Sequence, residues 1–438
     1  MQRARPRRVA VRSLSPAELL ERCLHPDDDG VLNLDAVVRF RRRTRQHPVS
    51  FVDFLQALRR SGNGDDNAKN PITTVFCYPS MALGIRQDEW DQIVQTFGQM
   101  PYLKRLAFLS GYGGFNAITA NALAQTLERS SSIRTLELSE GVVIVGSLEE
   151  LQRLAMAVAA SPLKTYTCDC LFRFQGQPNP RHVMVEQGIS LCTTLESLSL
   201  RDFMHQLSAD EITQLIANLT HLKQLCLYTS HWQSLGQALT NNNTLEVLQI
   251  ADHDVEPEAF CACMDSLQAN RKIRRLTLHL RLGFKNDGMK ESVASLLEHN
   301  VTLENVVLCD TIDGIFPPPS RCFTHFDFAS LSHGMAVNGL VQVDVDGLAS
   351  HVHDDDRESL CRYRQQLEVE NKLNEIGRRD LRKNLGDRFK WLEAMLKLTM
   401  GDAPAFERDS FFLADEGLYR TQCFFGFFLM NSSLFDGL

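Results

Sequence analysis

Nowhere in the 438-residue chain do apolar residues run unbroken for the roughly 18 positions that a membrane-spanning helix needs. The two richest runs, GVVIVGSL at 141–148 and CFFGFFLM at 423–430, suit a strand and a short buried helix. No apolar stretch follows the arginine-rich N-terminal residues, so a secretory leader is not expected. The twelve cysteines make no CxxC pair and no compact disulfide framework. Cys168 and Cys170, and likewise Cys261 and Cys263, are one residue apart with no histidine at zinc spacing, so neither metal nor redox chemistry is expected of them. Cysteines used as small apolar residues point to a reducing compartment. GxSxG, HExxH and a phosphate-cradling glycine loop are all missing, so no catalytic residue, cofactor or metal site is expected and the chain does not read as an enzyme.

What is present is a biased charge distribution and a repeat. The net charge is −8, yet residues 1–60 carry 13 Arg against 7 acids and so have the opposite sign. Arg3, Arg5, Arg7, Arg8 and Arg12 form a basic arm, suited to a disordered tail or an import signal. Arg39, Arg41, Arg42, Arg43 and Arg45 follow Val37, Val38 and Phe40, which reads as the solvated face of a helix.

The phrase TLESLSL at 194–200 returns as TLEVLQI at 244–250 and TLENVVL at 302–308. Generalised to L-x-x-L-x-L, it begins at Ile72, Leu103, Ile133, Leu163, Leu195, Leu222, Leu245, Ile273 and Leu303, at a mean spacing of about 29 residues. Each copy predicts a strand with core residues at alternate positions. Helical stripes fill the gaps: Trp90, Ile93, Val94 and Phe97 fall on one helix face, as do Leu148, Leu151, Leu154, Ala155 and Val158. Ser208 and Glu211 have the spacing of a capping box, and Pro257 stands at the first position of another helix. One such unit cannot bury its apolar faces alone, so the units must stack. SGYGGF at 110–115 then reads as the loop after a strand, where tight turns use glycine, and not as a ligand loop.

This pattern resembles the ribonuclease-inhibitor type of leucine-rich repeat. The resemblance implies an α/β horseshoe with parallel strands on the concave face and helices on the convex face. That family ties down its ascending loops with Asn or Cys eight residues after the first Leu; here Gly111, Gly141, Phe203, Ser230, His253, Arg281 and Thr311 stand there, so the loops must be held otherwise. FLQALR at 54–59, DEW at 88–90, VENKLNEIGR at 369–378, WLEA at 391–394 and CFFGFFLMNSSL at 423–434 occur in the order seen in a large uncharacterised family of repeat proteins known mainly from diatoms and other microalgae, which the chain resembles. That likeness implies a helical C-terminal cap and no particular activity.

Three regions follow: a basic arm and helical N-terminal cap over 1–68, a nine-repeat array over 69–346, and a mostly helical C-terminal cap over 347–438. FPPPS at 316–320 marks a break toward the cap, and HVHDDDR at 351–357 reads as the loop before it. DDDGVLNLD at 27–35 is similar to a calcium loop, with Gly30 at the turn and Leu32 at the apolar position, but its end ligands would be His25 and Ala36. PAELL at 16–20 with Val38 and the arginine-rich turn resembles an F-box over 14–45, which would make the chain a substrate receptor of a ubiquitin ligase.

The residues between core positions face the hollow. Basic and acidic residues there are nearly balanced, eight against nine, whereas a nucleic-acid groove would be one-signed. A protein partner is therefore expected on the concave face, with Arg201, Phe203, Tyr228, Trp232, Arg275 and His279 as contact residues. For Trp232 the competing reading is a core stripe with Leu235 and Leu239. The expected state is a monomer in the cytoplasm, with nuclear import open to the basic arm.

Overall fold

The computed structural model of the chain describes residues 24, 29–34, 51–63, 71–77, 86–109, 116–139, 141–174, 179–200, 207–252, 255–280, 287–309, 342–344 and 371. The architecture is α/β with parallel strands, in two compact units, Met1–His205 and Gln206–Leu438. The basic arm, Arg201, Phe203 and, but for Asn371, the expected C-terminal cap lie outside the described residues.

In the first unit the chain runs β1 (Val31–Asn33), α1 (Phe51–Asn63), β2 (Thr74–Cys77), α2 (Gln87–Phe97), β3 (Arg105–Phe108), β4 (Asn116–Thr119), α3 (Ala120–Arg129), β5 (Thr135–Leu138), β6 (Val142–Gly146), α4 (Leu148–Ala160), β7 (Thr165–Cys168), β8 (Leu171–Phe174), α5 (Pro180–Gln187) and β9 (Ser197–Leu200). Strands β1, β2, β3, β5, β7 and β9 pair in that order, all parallel. Their register is unshifted from repeat to repeat, so Val75, Leu106, Leu136, Tyr166 and Leu198 form one buried row. Burial alternates along each strand, as the side-chain period of two requires.

Two features depart from the sequence reading. The sheet reaches back to β1, inside the segment assigned to the cap: the Gly30 carbonyl accepts from the amides of Thr73 and Thr74 at 2.9 and 3.2 Å. Gly30 has φ +77°, and a Cβ there would lie 2.7 Å from the Pro71 carbonyl oxygen, so only glycine fits this turn. The stretch resembling a calcium loop is thus the entry to a strand. Strands β4, β6 and β8 also make a second parallel sheet of their own; of these only β6 was legible, in its run of valines and isoleucine.

The second unit runs α6 (Ala209–Asn218), β10 (Gln224–Tyr228), α7 (Trp232–Thr240), β11 (Val247–Asp252), α8 (Pro257–Ala269), β12 (Arg275–Leu280), α9 (Asp287–His299), β13 (Asn305–Cys309) and β14 (Gln342–Asp344). Strands β10 to β14 pair in sequence order, parallel, with Leu225, Leu248, Leu276 and Val306 aligned in the core. All nine L-x-x-L-x-L copies are strands, each beginning two residues after its first apolar residue. The expected helix starts are present too. The Ser208 hydroxyl accepts from the Glu211 amide at 3.3 Å while the Glu211 carboxylate accepts from the Ser208 amide at 2.7 Å, and Pro257 opens α8. Ser147 and Glu150 repeat the capping box at α4.

The loops are held in two ways. After the strands of the first unit, backbone bonds link one turn to the previous one: Leu109 to Cys77, Ser139 to Phe108 and Asp169 to Leu138, at 2.8 to 2.9 Å. Before the strands of the second unit an asparagine recurs three residues ahead of the first Leu, at Asn242, Asn270 and Asn300. The Asn270 amide nitrogen donates to the carbonyls of Leu239 and Asn242 in the preceding turn, and its oxygen accepts from the amides of Lys272 and Ile273. Asn300 repeats this one turn later, on Leu267, Asn270, Thr302 and Leu303. Each buried side chain replaces the partners that a helix end and a turn would otherwise lack.

Candidate functional site

The sheet face away from the core is set by the intermediate positions of the strands, and the charges there meet across neighbouring strands. In the first unit the Arg105 guanidinium lies over the Phe76 ring, 5.2 Å from its centroid, and reaches the Glu137 carboxylate on the other side at 2.8 Å. Ala107 falls between Phe76 and Glu137 in the register and is fully buried beneath this span. Two turns on, Lys164 and Glu196 pair at 2.7 Å from equivalent positions of consecutive repeats. In the second unit Arg274 and Glu304, at that same repeat position, pair at 2.9 Å. Gln249 and His279 meet at 2.7 Å between β11 and β12.

These are exposed or half-exposed pairs, each worth about 0–1 kcal/mol to folding. For Lys164–Glu196 and Arg274–Glu304 the repeat explains the geometry. An unshifted parallel register puts the same position of adjacent turns side by side, so opposite charges at matching positions meet without any loop or special turn.

The residues expected to contact a partner divide sharply. Arg275 is exposed at the start of β12, and His279 is half-exposed and bonded to Gln249. Trp232 is fully buried and is corrected to a core residue. It begins the stripe completed by Leu235 and Leu239, stacks edge-on against Phe260 at 5.0 Å, and its indole nitrogen donates to the buried Asp252 carboxylate at 2.6 Å. That bond holds the end of β11, one answer to the missing loop asparagine. Tyr228 is only 3% exposed and is likewise withdrawn as an accessible anchor. Its register partner is Ala251, itself buried, so this end of the strands is closed over. Phe76, Arg105, Glu137 and Lys164 complete the displayed rows. All four lie in the L-x-x-L-x-L copies, so matching equivalent positions between consecutive copies would have found the Lys164–Glu196 and Arg274–Glu304 pairs.

One polar cluster is buried. Cys168, at the end of β7, and Cys170, just before β8, have their sulfurs 3.6 Å apart. The buried Arg181 at the start of α5 donates to the Cys168 carbonyl at 2.9 Å. Tyr166, standing where other repeats have leucine, brings its hydroxyl to Cys168, and burial pushes its pKa up. The Cys168 thiol is held below its ordinary value, first by the hydrogen bond from Cys170, then by the Arg181 charge and the Tyr166 hydroxyl, against the opposing effect of burial. Cys77 and Cys263 are pushed up by burial alone, Cys263 to about 12. Among the described residues no group of three or more His, Cys, Asp or Glu is arranged to hold a metal ion, and no helix is long and apolar enough to cross a membrane.

No family model matches the chain, and no curated protein matches it. Among solved structures, the leiomodin-1 actin-binding site 2 is similar at 13% identity over 41% of this chain and 96% of that one, with a TM-score of 0.28, a likeness too slight to carry an argument.

Proposed function

We propose that the chain is a non-enzymatic binding scaffold, a leucine-rich-repeat solenoid of the ribonuclease-inhibitor type whose displayed strand face holds a protein partner. The observation that carries this reading is the set of charge pairs between neighbouring repeats: Arg105–Glu137 across the strands, and Lys164–Glu196 and Arg274–Glu304 one residue ahead of them. Such pairs add little to folding, so their energetic weight lies in what they present. Each offers a donor and an acceptor at a spacing set by the strand register or by the turns that lead into it. A partner with its own Arg and Asp or Glu can bond into such pairs, whereas a polyanion would meet as many carboxylates as cations. The Phe76 ring beneath Arg105 adds an apolar floor at one end.

A ligase-docking role for residues 14–45 is the weaker reading, because Val31–Asn33 inside that segment is a hydrogen-bonded strand of the sheet. For the same reason the test keeps the whole chain. Tagged chain is used to capture partners from reducing lysate, and the bound set is compared with those of Lys164→Glu, Arg275→Glu and Glu298→Arg. Glu298 is exposed on α9, a helix outside the sheet face, and serves as the control. A partner lost with either face variant and kept with Glu298→Arg supports the proposal. Loss with Glu298→Arg alone, or no loss with any, refutes it.

A further inference from the structure

The chain has two C-x-C pairs, and the fold treats them oppositely. Cys261 and Cys263 lie on α8, where a two-residue step turns side chains to different sides: Cys263 is buried, and Cys261 is half-exposed and bonded to the Gly288 carbonyl. Cys168 and Cys170 lie on the extended link from β7 to β8, where a two-residue step returns side chains to the same side, and both sulfurs enter one buried pocket of polar groups. An apolar core has no use for that pocket. Leucine serves the Tyr166 position in the neighbouring strands, and among the described residues Arg181 is the one buried arginine.

We propose that Cys168 and Cys170 form a redox-active dithiol, closing to a disulfide with a small peroxide and reopening with a small thiol. Cys168 is the attacking sulfur, because Cys170, Tyr166 and Arg181 all stabilise its thiolate; Cys170, 3.6 Å away, resolves. The Cys168 sulfur bonds to one peroxide oxygen and the O–O bond breaks. The departing hydroxide takes the Cys168 proton and leaves as water, and Cys168 becomes a sulfenic acid. The Cys170 sulfur then bonds to the Cys168 sulfur, the S–OH bond breaks, and the hydroxide leaves with the Cys170 proton as a second water. Two thiols have lost two electrons, and the peroxide has been reduced to two waters. Reopening consumes two small thiols and yields their disulfide. The sulfurs need to approach by only about 1.5 Å to reach bonding distance. Both are buried, so the oxidant must be small and uncharged.

Trypsin isolates the pair. Cleavage after Lys164 and Arg173 releases TYTCDCLFR, which holds both cysteines and no other. The reduced full chain is treated with graded hydrogen peroxide, quenched with N-ethylmaleimide under denaturing conditions, digested and weighed. The expected product is this peptide, unlabelled and lighter by two hydrogens, formed roughly tenfold faster than Cys77 or Cys263 is lost, and restored by dithiothreitol. Cys170→Ser is expected to leave a sulfenic acid on Cys168 that dimedone captures, and Cys168→Ser to leave Cys170 reduced at the same dose. The proposal fails if TYTCDCLFR stays reduced while Cys77 or Cys263 oxidises, or if its disulfide forms only in urea. It fails too if Cys168→Ser oxidises at Cys170 as fast as the native pair closes. The order of oxidation in the unaltered chain decides the matter even if a variant does not fold.

Discussion

Replacing Asn270 with alanine should cost more than any exposed substitution in the second unit, and the structure supplies the size of the loss. The side chain is 2% exposed and makes four hydrogen bonds: to the Leu239 and Asn242 carbonyls at 2.8 and 3.2 Å, and from the Lys272 and Ile273 amides at 2.8 and 3.0 Å. The groups on Asn242 and Lys272 are partly open and will find water. The Leu239 carbonyl is buried but keeps the Asn242 amide at 3.2 Å, whereas the buried Ile273 amide loses its partner. One buried donor left without its partner gives a loss of roughly 1–3 kcal/mol. In urea this moves the midpoint down by about 0.5–1.5 M at an ordinary slope, followed by fluorescence of the buried Trp232 in the preceding turn. Asn242→Ala is the internal comparison: that residue is half-buried, and its oxygen alone is engaged, by Thr244 and Leu245, so the loss should be about half as large. A cost below about 0.5 kcal/mol for Asn270→Ala, within the range of surface substitutions, or a larger cost for Asn242→Ala, would show that these asparagines do not hold the turns.

Trp232→Phe keeps most of the ring packing on Phe260 but removes the 2.6 Å bond to the buried Asp252, for an expected loss of about 2–3 kcal/mol by urea titration followed by circular dichroism. Gly236→Ala would place a methyl 2.8 Å from the Cys263 Cα, backbone that cannot yield cheaply, so α7 must move off α8; about 1–3 kcal/mol and a lower thermal midpoint are expected, and a neutral result would mean that the helices slide freely. The Glu128 carboxyl is held below its ordinary value by its hydrogen bonds with Arg153, at 2.7 and 2.6 Å. A depressed acid contributes stability above its unfolded pKa and loses it as pH falls through the folded one. Glu128→Gln should therefore cost about 0.5–1 kcal/mol at neutral pH, discounted because the pair is more than a third exposed, and nothing at a pH below both values. An equal cost at both ends of the titration would assign the effect to packing.

The repeat was legible because its signals are local. A strand that buries alternate residues and a helix that buries one stripe leave periods of 2 and 3.6 in the chain, and the nine strands, the stripe through Trp90, the capping box at Ser208 and Pro257 at a helix start all follow from neighbours within a few positions. The displayed charges were legible as a balanced set, but their partners were not, since Arg105 chooses Glu137 through a strand register. The asparagines at 242, 270 and 300 stood in the sequence at a visible spacing. The role of Asn270 and Asn300 needs the carbonyls of the preceding turn, roughly 30 residues back in the chain.

Tertiary structure decided the rest. A tryptophan at the head of a helix reads equally as a surface anchor or a core residue; Asp252, twenty positions on, settles it by accepting the indole hydrogen bond inside the protein. The strands β4 and β8 lie outside the L-x-x-L-x-L copies and pair with the two edges of β6. The two C-x-C pairs are identical in spacing and differ only in backbone: a helix turns its two sulfurs apart, and an extended link brings its two together. Sequence by itself determined which residues belong to strands and helices, because those preferences are paid locally. Which side chains touch was decided by packing, because it depends on the positions of residues that the chain brings back only one full repeat later.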